Sequence, residues 1–210
     1  MSKPINKSHW YDGLFYDVFI APNQDQLFLQ VKELIEPDST VIDVGCGTGR
    51  LSFLIADKVS RVVGIDLSKK NIDRANKNLA KNPNQKISFF NTDVTSLIAK
   101  NEKFDYAVMT YVIHEVDENE RVELLKQLSQ IADKIIIGDY LVPKPYGFWS
   151  ILNEVIEFLA GSEHYKNYKN YVSSGGIKNL VDKAGLKIIN ENENKPFTSH
   201  LVVLSNCFNK

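Results

Sequence analysis

A strand that passes without interruption into a loop with glycine at every second position constrains this chain more than any other feature. Thr40-Val41-Ile42-Asp43-Val44 has the make-up of a buried strand, and Gly45-Cys46-Gly47-Thr48-Gly49 follows at once. Glycines there let the backbone turn tightly into a helix and let a ligand approach the main chain. A tight turn with no ligand is the plainer alternative. Either way, the loop joins a strand to a helix.

The rest of the chain keeps that rhythm. Strand-like runs at Thr40–Val44, Arg61–Ile65, Ile87–Asn91, Phe104–Thr110 and Lys134–Asp139 alternate with helical patterns at Gly49–Asp57, Lys69–Lys81 and Glu118–Ala132. The stretch after Asp93 has room for a turn or two of helix. Such alternation implies right-handed crossovers and a parallel sheet with helices on both faces. The tail departs from it. Leu186–Asn190 and His200–Cys207 are separated only by the turn-like 191–196 segment, so they pair antiparallel as a hairpin. The expected fold is therefore α/β and doubly wound, with a seven-stranded, mostly parallel sheet and one antiparallel strand near the C-terminus. Ahead of it, apolar residues at helical spacing predict one helix through Trp10, Leu14, Phe15, Val18 and Phe19. A second runs through Leu27, Leu29, Val31, Leu34 and Ile35, after a break at Ala21-Pro22-Asn23.

Bulk properties exclude several classes. A net charge of −1 gives no global attraction to nucleic acid or to an anionic membrane. The two cysteines, Cys46 and Cys207, form neither a metal-binding spacing nor a disulfide framework, and no metal site is expected. Met1 to Ser8 lacks the apolar core of a secretion signal, and no apolar run is long enough to span a bilayer. A cytoplasmic setting is expected.

Charge and spacing decide what the loop holds. A dinucleotide loop reads G-x-G-x-x-G, but its sixth position here is Arg50, and the third glycine falls one residue early. The G-x-x-x-x-G-K-[ST] phosphate loop is absent too. Asp43 at the mouth of the loop would repel a pyrophosphate and suits a ligand bearing an ammonium and a sulfonium. Asp66 ends the next strand, where it can accept both hydroxyls of a ribose or cap the following helix. Asp93, after the third strand, either accepts from an adenine amino group or caps its own helix; the N–H of Val94 would serve the adenine ring.

Four segments now carry a resemblance: 41–49 (Val-Ile-Asp-Val-Gly-Cys-Gly-Thr-Gly), 63–68 (Val-Gly-Ile-Asp-Leu-Ser), 91–94 (Asn-Thr-Asp-Val) and 104–109 (Phe-Asp-Tyr-Ala-Val-Met). In this order and spacing they resemble the class I S-adenosylmethionine-dependent methyltransferases over about residues 25–142. The resemblance implies S-adenosyl-L-methionine as cofactor, with contacts from Asp43, Gly45, Gly47, Asp66, Asp93 and Val94, and with Cys46, Gly49, Leu67, Thr110 and Tyr111 beside them. It divides a single domain into an N-terminal helical cap or lid (1–36), a cofactor-binding core (37–142), a substrate-cover insertion (143–173) and a C-terminal helix with hairpin (174–210). The leader Trp10-Tyr11-Asp12-Gly13-Leu14-Phe15-Tyr16-Asp17 is similar to those of ubiquinone- and phospholipid-type methyltransferases, which implies that Tyr11 or Tyr16 approaches the cofactor. An amphipathic helix packed on the sheet edge is the alternative.

Methyl transfer from a sulfonium mainly requires alignment, and a base only where the acceptor must lose a proton. The segment from Thr110 to Glu115 would lie beside the methyl. His114 is placed either as a base or as a histidine bonded within its loop, and Tyr111 as a pocket wall with a catalytic part. The Asn/Asp-Pro-Pro-Tyr motif of nucleobase amino methyltransferases is missing there, so no nucleic-acid partner is expected. Residues 147–160 are apolar around most of a helix, which suits a hydrophobic or lipid-like small-molecule acceptor, a peripheral membrane contact or a homodimer. Residues 164–172 alternate tyrosine and lysine, reading as a substrate-facing patch or as a short helix with its tyrosines inward. Two other functions stay open: a methyltransferase-fold binding protein without turnover, and an NAD-dependent oxidoreductase.

Overall fold

The structure, a computed structural model, describes residues 21–194 and 198–206. The seven strands form a single sheet in the order β3-β2-β1-β4-β5-β7-β6. The chain groups into two compact units, Met1–Val108 and Met109–Lys210, the boundary falling inside the fourth strand.

The described part of the first unit starts in α1 (Ala21–Leu34), so Ala21-Pro22-Asn23, expected to break the chain, are helical. A proline in the first turn removes an N–H that has no helical partner anyway. The earlier helix expected over Trp10–Phe19, with Tyr11 and Tyr16, lies outside the described residues. β1 (Thr40–Val44) leads through the glycine loop into α2 (Arg50–Ile55), and β2 (Arg61–Asp66) leads into α3 (Lys69–Lys81). β3 (Ile87–Asn91), α4 (Val94–Ala99) and β4 (Phe104–Thr110) follow. β1 pairs β2 and β2 pairs β3, both parallel, with Val41 opposite Val62 and Val62 opposite Ile87. Ser68 caps α3 by accepting from the N–H of Asn71, and only Ile72 and Ala75 of that helix are buried. Its lysines form a solvated face.

The second unit contains α5 (Arg121–Ile131), β5 (Ala132–Tyr140), α6 (Phe148–Ala160), α7 (Ser162–Ser173), α8 (Gly176–Ala184), β6 (Leu186–Asn194) and β7 (Ser199–Asn206). β7 runs antiparallel to both neighbours and is the reversed strand. β6 continues to Asn194 through residues expected to turn. Glu191, Asn192, Glu193 and Asn194 are weak strand formers, but pairing with Val202 through Ser199 overrides that preference. β5 supplies Ile135, Ile136 and Ile137 to the core, while Leu204, Val203 and Val202 of β7 lie opposite them in that order.

Candidate active site

The glycine loop is held from below by the end of β2. The N–H groups of Gly45 and Cys46 both donate to the Ile65 carbonyl, at 2.8 and 3.0 Å. The N–H of Gly47 donates to Asp66 Oδ2 at 2.9 Å, and Asp66 Oδ1 accepts from the N–H of Ser68 at 2.7 Å. Asp66 thus anchors the loop and the start of α3 at once. Gly49 has φ +88°, and a Cβ there would stand 2.5 Å from the Phe89 ring. It is the glycine of close packing. At Gly47, φ +55°, a Cβ would meet nothing within 4 Å, so the loop presents bare backbone to open space.

Asp43 sits beneath this loop, 1% exposed, and accepts from the Ser52 hydroxyl at 2.6 Å. Burial raises its pKa to about 6; the Ser52 bond works against that, and the charge of Asp66 adds to it. Cys46 is buried as well, and burial followed by the charges of Asp43 and Asp66 pushes its thiol up, away from reactivity. Leu67 is 38% exposed beside Asp66. Asp93 caps α4: its Oδ1 accepts from the Ser96 N–H and from the Ser96 and Thr95 hydroxyls. Those bonds outweigh partial burial and hold its carboxyl below the usual range. Val94 is buried at the first turn of α4. Arg50, the residue that breaks the dinucleotide pattern, turns away and pairs with Asp25 of α1.

A separate cleft of about 400 Å³ opens on the face of β2 and β3 that carries Val63, Ser88 and Phe90. Arg61 there is paired with Glu102 at 3.0 Å. The cleft holds none of the residues expected to bind the cofactor.

The other expected residues belong to the second unit. Thr110 ends β4, half-buried. Tyr111 follows in the left-handed region, φ +55°, with its N–H donated to the Gly138 carbonyl at 2.7 Å. A non-glycine residue there is strained, and such strain concentrates at functional sites. His114 is 1% exposed. Its Nδ1 lies 2.8 Å from Asp139 Oδ1, and its Nε2 lies 3.5 Å from Glu157 Oε1. Burial alone would push the imidazole's pKa down, but the two carboxylates prevail and hold it well above the ordinary histidine value. Glu157 Oε1 also accepts from the Tyr140 hydroxyl at 2.7 Å. Despite burial, His114 and Tyr140 hold Glu157 below the usual carboxylate range. The Tyr140 ring packs edge-on against Tyr111, His114 and Tyr168, with centroids at 5.7, 4.8 and 5.1 Å.

A residue absent from the sequence expectations fixes this loop. Arg121 is 0% exposed. Its guanidinium donates to the carbonyls of His114 (3.1 Å), Val116 (2.9 Å) and Asn167 (2.7 Å), and to Asn170 Oδ1 at 2.9 Å. In return, Asn167 Nδ2 donates to the Glu115 carbonyl at 2.8 Å. The residues after β4 are thereby stapled to α7, whose His164, Asn167, Tyr168 and Tyr171 face inward. The tyrosine-lysine segment is a helix in which Tyr168 and Tyr171 are buried and Tyr165 is half-buried. The signal for Arg121 was there to read: it shares an i, i+4, i+7 stripe with Leu125 and Leu128, and a cation on such a stripe is a buried one.

Comparison with known proteins assigns this arrangement to a class. Residues 41–134 match the family described as a methyltransferase domain. Over 154 residues the chain is 29% identical to a ubiquinone biosynthesis O-methyltransferase of Bartonella tribocorum, covering 72% of this chain and 61% of that protein. The chain thus spans less than two thirds of that relative's length. The crystal structure of magnesium protoporphyrin IX methyltransferase from Synechocystis PCC 6803 with bound SAH superposes with a TM-score of 0.64. It shares 19% identity, and the match covers 90% of this chain and 85% of that one. A 4+2 cyclase superposes with a TM-score of 0.68 at 13% identity, covering 96% and 88%. Likeness at such identities establishes the fold, and one fold hosts several chemistries. Residues 41–134 thus match a methyltransferase domain, on a Rossmann-like fold shared with structures that bind S-adenosylhomocysteine.

Among the described residues, no helix is long and apolar enough to cross a membrane, and no cluster of three or more His, Cys, Asp or Glu side chains could hold a metal ion.

Proposed function

We propose that this chain transfers a methyl group from S-adenosyl-L-methionine to a small-molecule acceptor, hydrophobic or lipid-like, by in-line displacement. The observation that carries the reading is the loop itself: bare backbone at Gly47, braced by Asp66 and underlaid by the buried Asp43. These residues fit the cofactor. Gly45, Gly47 and Gly49 let it approach the main chain, with Cys46 packed behind them. Asp66 takes the ribose hydroxyls, and Leu67 offers an apolar surface beside it. Asp93 and Val94 serve the adenine, with Asp93 Oδ2 remaining for that contact because its helix-capping bonds all use Oδ1. The negative charge of Asp43 favours a cation above the loop. When bound, the cofactor supplies an electrophilic methyl, and the protein's task is alignment.

Thr110 and Tyr111 are the residues that the resemblance to methyltransferases assigns to the acceptor. The backbone of Tyr111 is held at Gly138, so it contributes shape without needing to move. His114 has a positioning role in this reading. Its ring lies between two carboxylates and keeps its proton, so it is poorly suited to accept one. An acceptor that needs no strong base follows. The ubiquinone and protoporphyrin relatives support a small-molecule acceptor, and the near-neutral charge of the chain gives no pull toward nucleic acid. A cytoplasmic setting belongs to the same proposal.

Isothermal titration with S-adenosylhomocysteine tests the cofactor half. Heat of binding at one site is expected, and its absence overturns the assignment. Transfer of labelled methyl to a panel of quinols, porphyrins and lipids tests the other half. Tight binding with no labelled product across that panel favours a methyltransferase-fold binding protein. Binding of NAD in place of the sulfonium cofactor would favour the oxidoreductase.

A further inference from the structure

α6 presents its faces in an unusual order. Three of its four polar residues, Ser150, Glu154 and Glu157, at i, i+4 and i+7, point into the unit, where Ser150 and Glu157 are buried. The opposite side carries Phe148, Trp149, Ile151, Val155, Phe158 and Leu159, exposed by 45 to 70%. This rotation is locked. Glu157 takes the Tyr140 hydroxyl and stands beside His114, while Glu154 is bound by Lys144, by the Tyr165 hydroxyl at 2.9 Å and by Lys169 at 3.0 Å. Turning the helix to bury its apolar side would take both acids away from these partners, at a cost of several kcal/mol for unpaired buried charge. The greasy side is therefore a built surface.

Its pattern indicates what covers it. Phe148, Ile151, Val155 and Phe158 follow a 3-4-3 spacing along the whole helix, which is that of a seam between two helices. α6 contains no Lys or Arg, and its acids face inward, so the outward stripe is uncharged. A second copy meets no like charge there, whereas an anionic bilayer finds no cation on this helix to hold. The exposed area of the six side chains is on the order of 700 Å² per copy, close to the roughly 800 Å² per partner of a standard interface. We propose that α6 is the contact of a two-fold symmetric dimer, in which the α6 of a second copy of this chain lies antiparallel across the stripe. This stands apart from the methyl-transfer proposal and survives its failure.

Sedimentation velocity of the full chain, from about 1 to 100 µM, reads the association directly. Wild type is expected to sediment as a dimer at the upper end. Ile151→Asp and Val155→Asp change outward side chains, so each is expected to keep the wild-type melting curve while weakening the dimer at least a hundredfold. A wild type that stays monomeric throughout overturns the proposal, as does a dimer indifferent to both substitutions. Two results would assign the stripe to another occupant and overturn it equally. One is a monomer that binds phosphatidylcholine vesicles and loses them on Val155→Asp. The other is a monomer that dimerises only after residues 1–20 are removed.

Discussion

The glycine loop and the segment after β4 are both functional candidates, yet they are built by opposite means. In the loop nearly every contact is short in sequence or runs to the adjacent strand: Gly45 and Cys46 to Ile65, Gly47 to Asp66, Asp43 to Ser52. The segment after β4 is fixed by side chains that arrive from far along the chain. Asp139 reaches His114 from 25 residues away, and Asn167 reaches Glu115 from 52. The first arrangement is a candidate cradle built largely from backbone. The second makes a rigid wall from buried charge, and buried charge tolerates the loss of a partner badly.

That contrast breaks most visibly at Arg121. Arg121→Ala removes the shared donor from three carbonyls and the Asn170 side chain and leaves a void in place of a 0% exposed guanidinium, so a loss of about 3 kcal/mol or more is expected. Thermal denaturation should show it as a clear fall in Tm, with affinity for S-adenosylhomocysteine in the surviving folded fraction little changed. Asp66→Asn is the counterpart in the cradle. Removing the charged acceptor at the loop and the ribose should weaken S-adenosylhomocysteine binding by about 2 kcal/mol, roughly thirtyfold, on calorimetry. A variant that binds as wild type would remove Asp66 from the site. Gly49→Ala tests packing: the added methyl meets the Phe89 ring at φ +88°, and a stability loss of about 1 to 3 kcal/mol is expected from chemical denaturation.

The smallest effect concerns protons. Asp43 has its pKa raised to about 6, so by itself it favours the folded chain most below its ordinary value of 3.8, an advantage lost as the pH rises through about 6. A bound cation reverses the preference by favouring the carboxylate. Affinity for S-adenosylhomocysteine should therefore rise about tenfold between pH 5 and 7 and then level off, with proton release on binding at the acid end. A flat profile across that range would mean that Asp43 does not sense the ligand.

The same contrast governs what could be read from sequence. β1, β3, β4 and α3 have the limits expected of them, because a run of apolar residues or a Ser cap specifies each locally. The places of the glycine loop, Asp43, Asp66 and Asp93 in the fold were legible for the same reason. His114 stood out, but Asp139 and Glu157 did not, since nothing near His114 in sequence announces carboxylates on β5 and α6. The apolar composition of α6 suited an acceptor cover, a membrane contact and a homodimer alike. Its few polar residues add a direction, because Glu154 and Glu157 have partners within the unit while the apolar majority is exposed. For such a helix, the pattern of the minority residues is the informative one.

Arg121 also bears on how this chain could be re-engineered. Its guanidinium plugs carbonyls on both the segment after β4 and α7, so the two are complementary halves of one fitting. Exchanging α6 and α7 for the corresponding helices of another protein would leave that plug facing an unmatched socket. A chimera that moves Arg121, Asn167 and Asn170 together keeps the fitting whole, and with it the freedom to vary everything α7 presents to the outside.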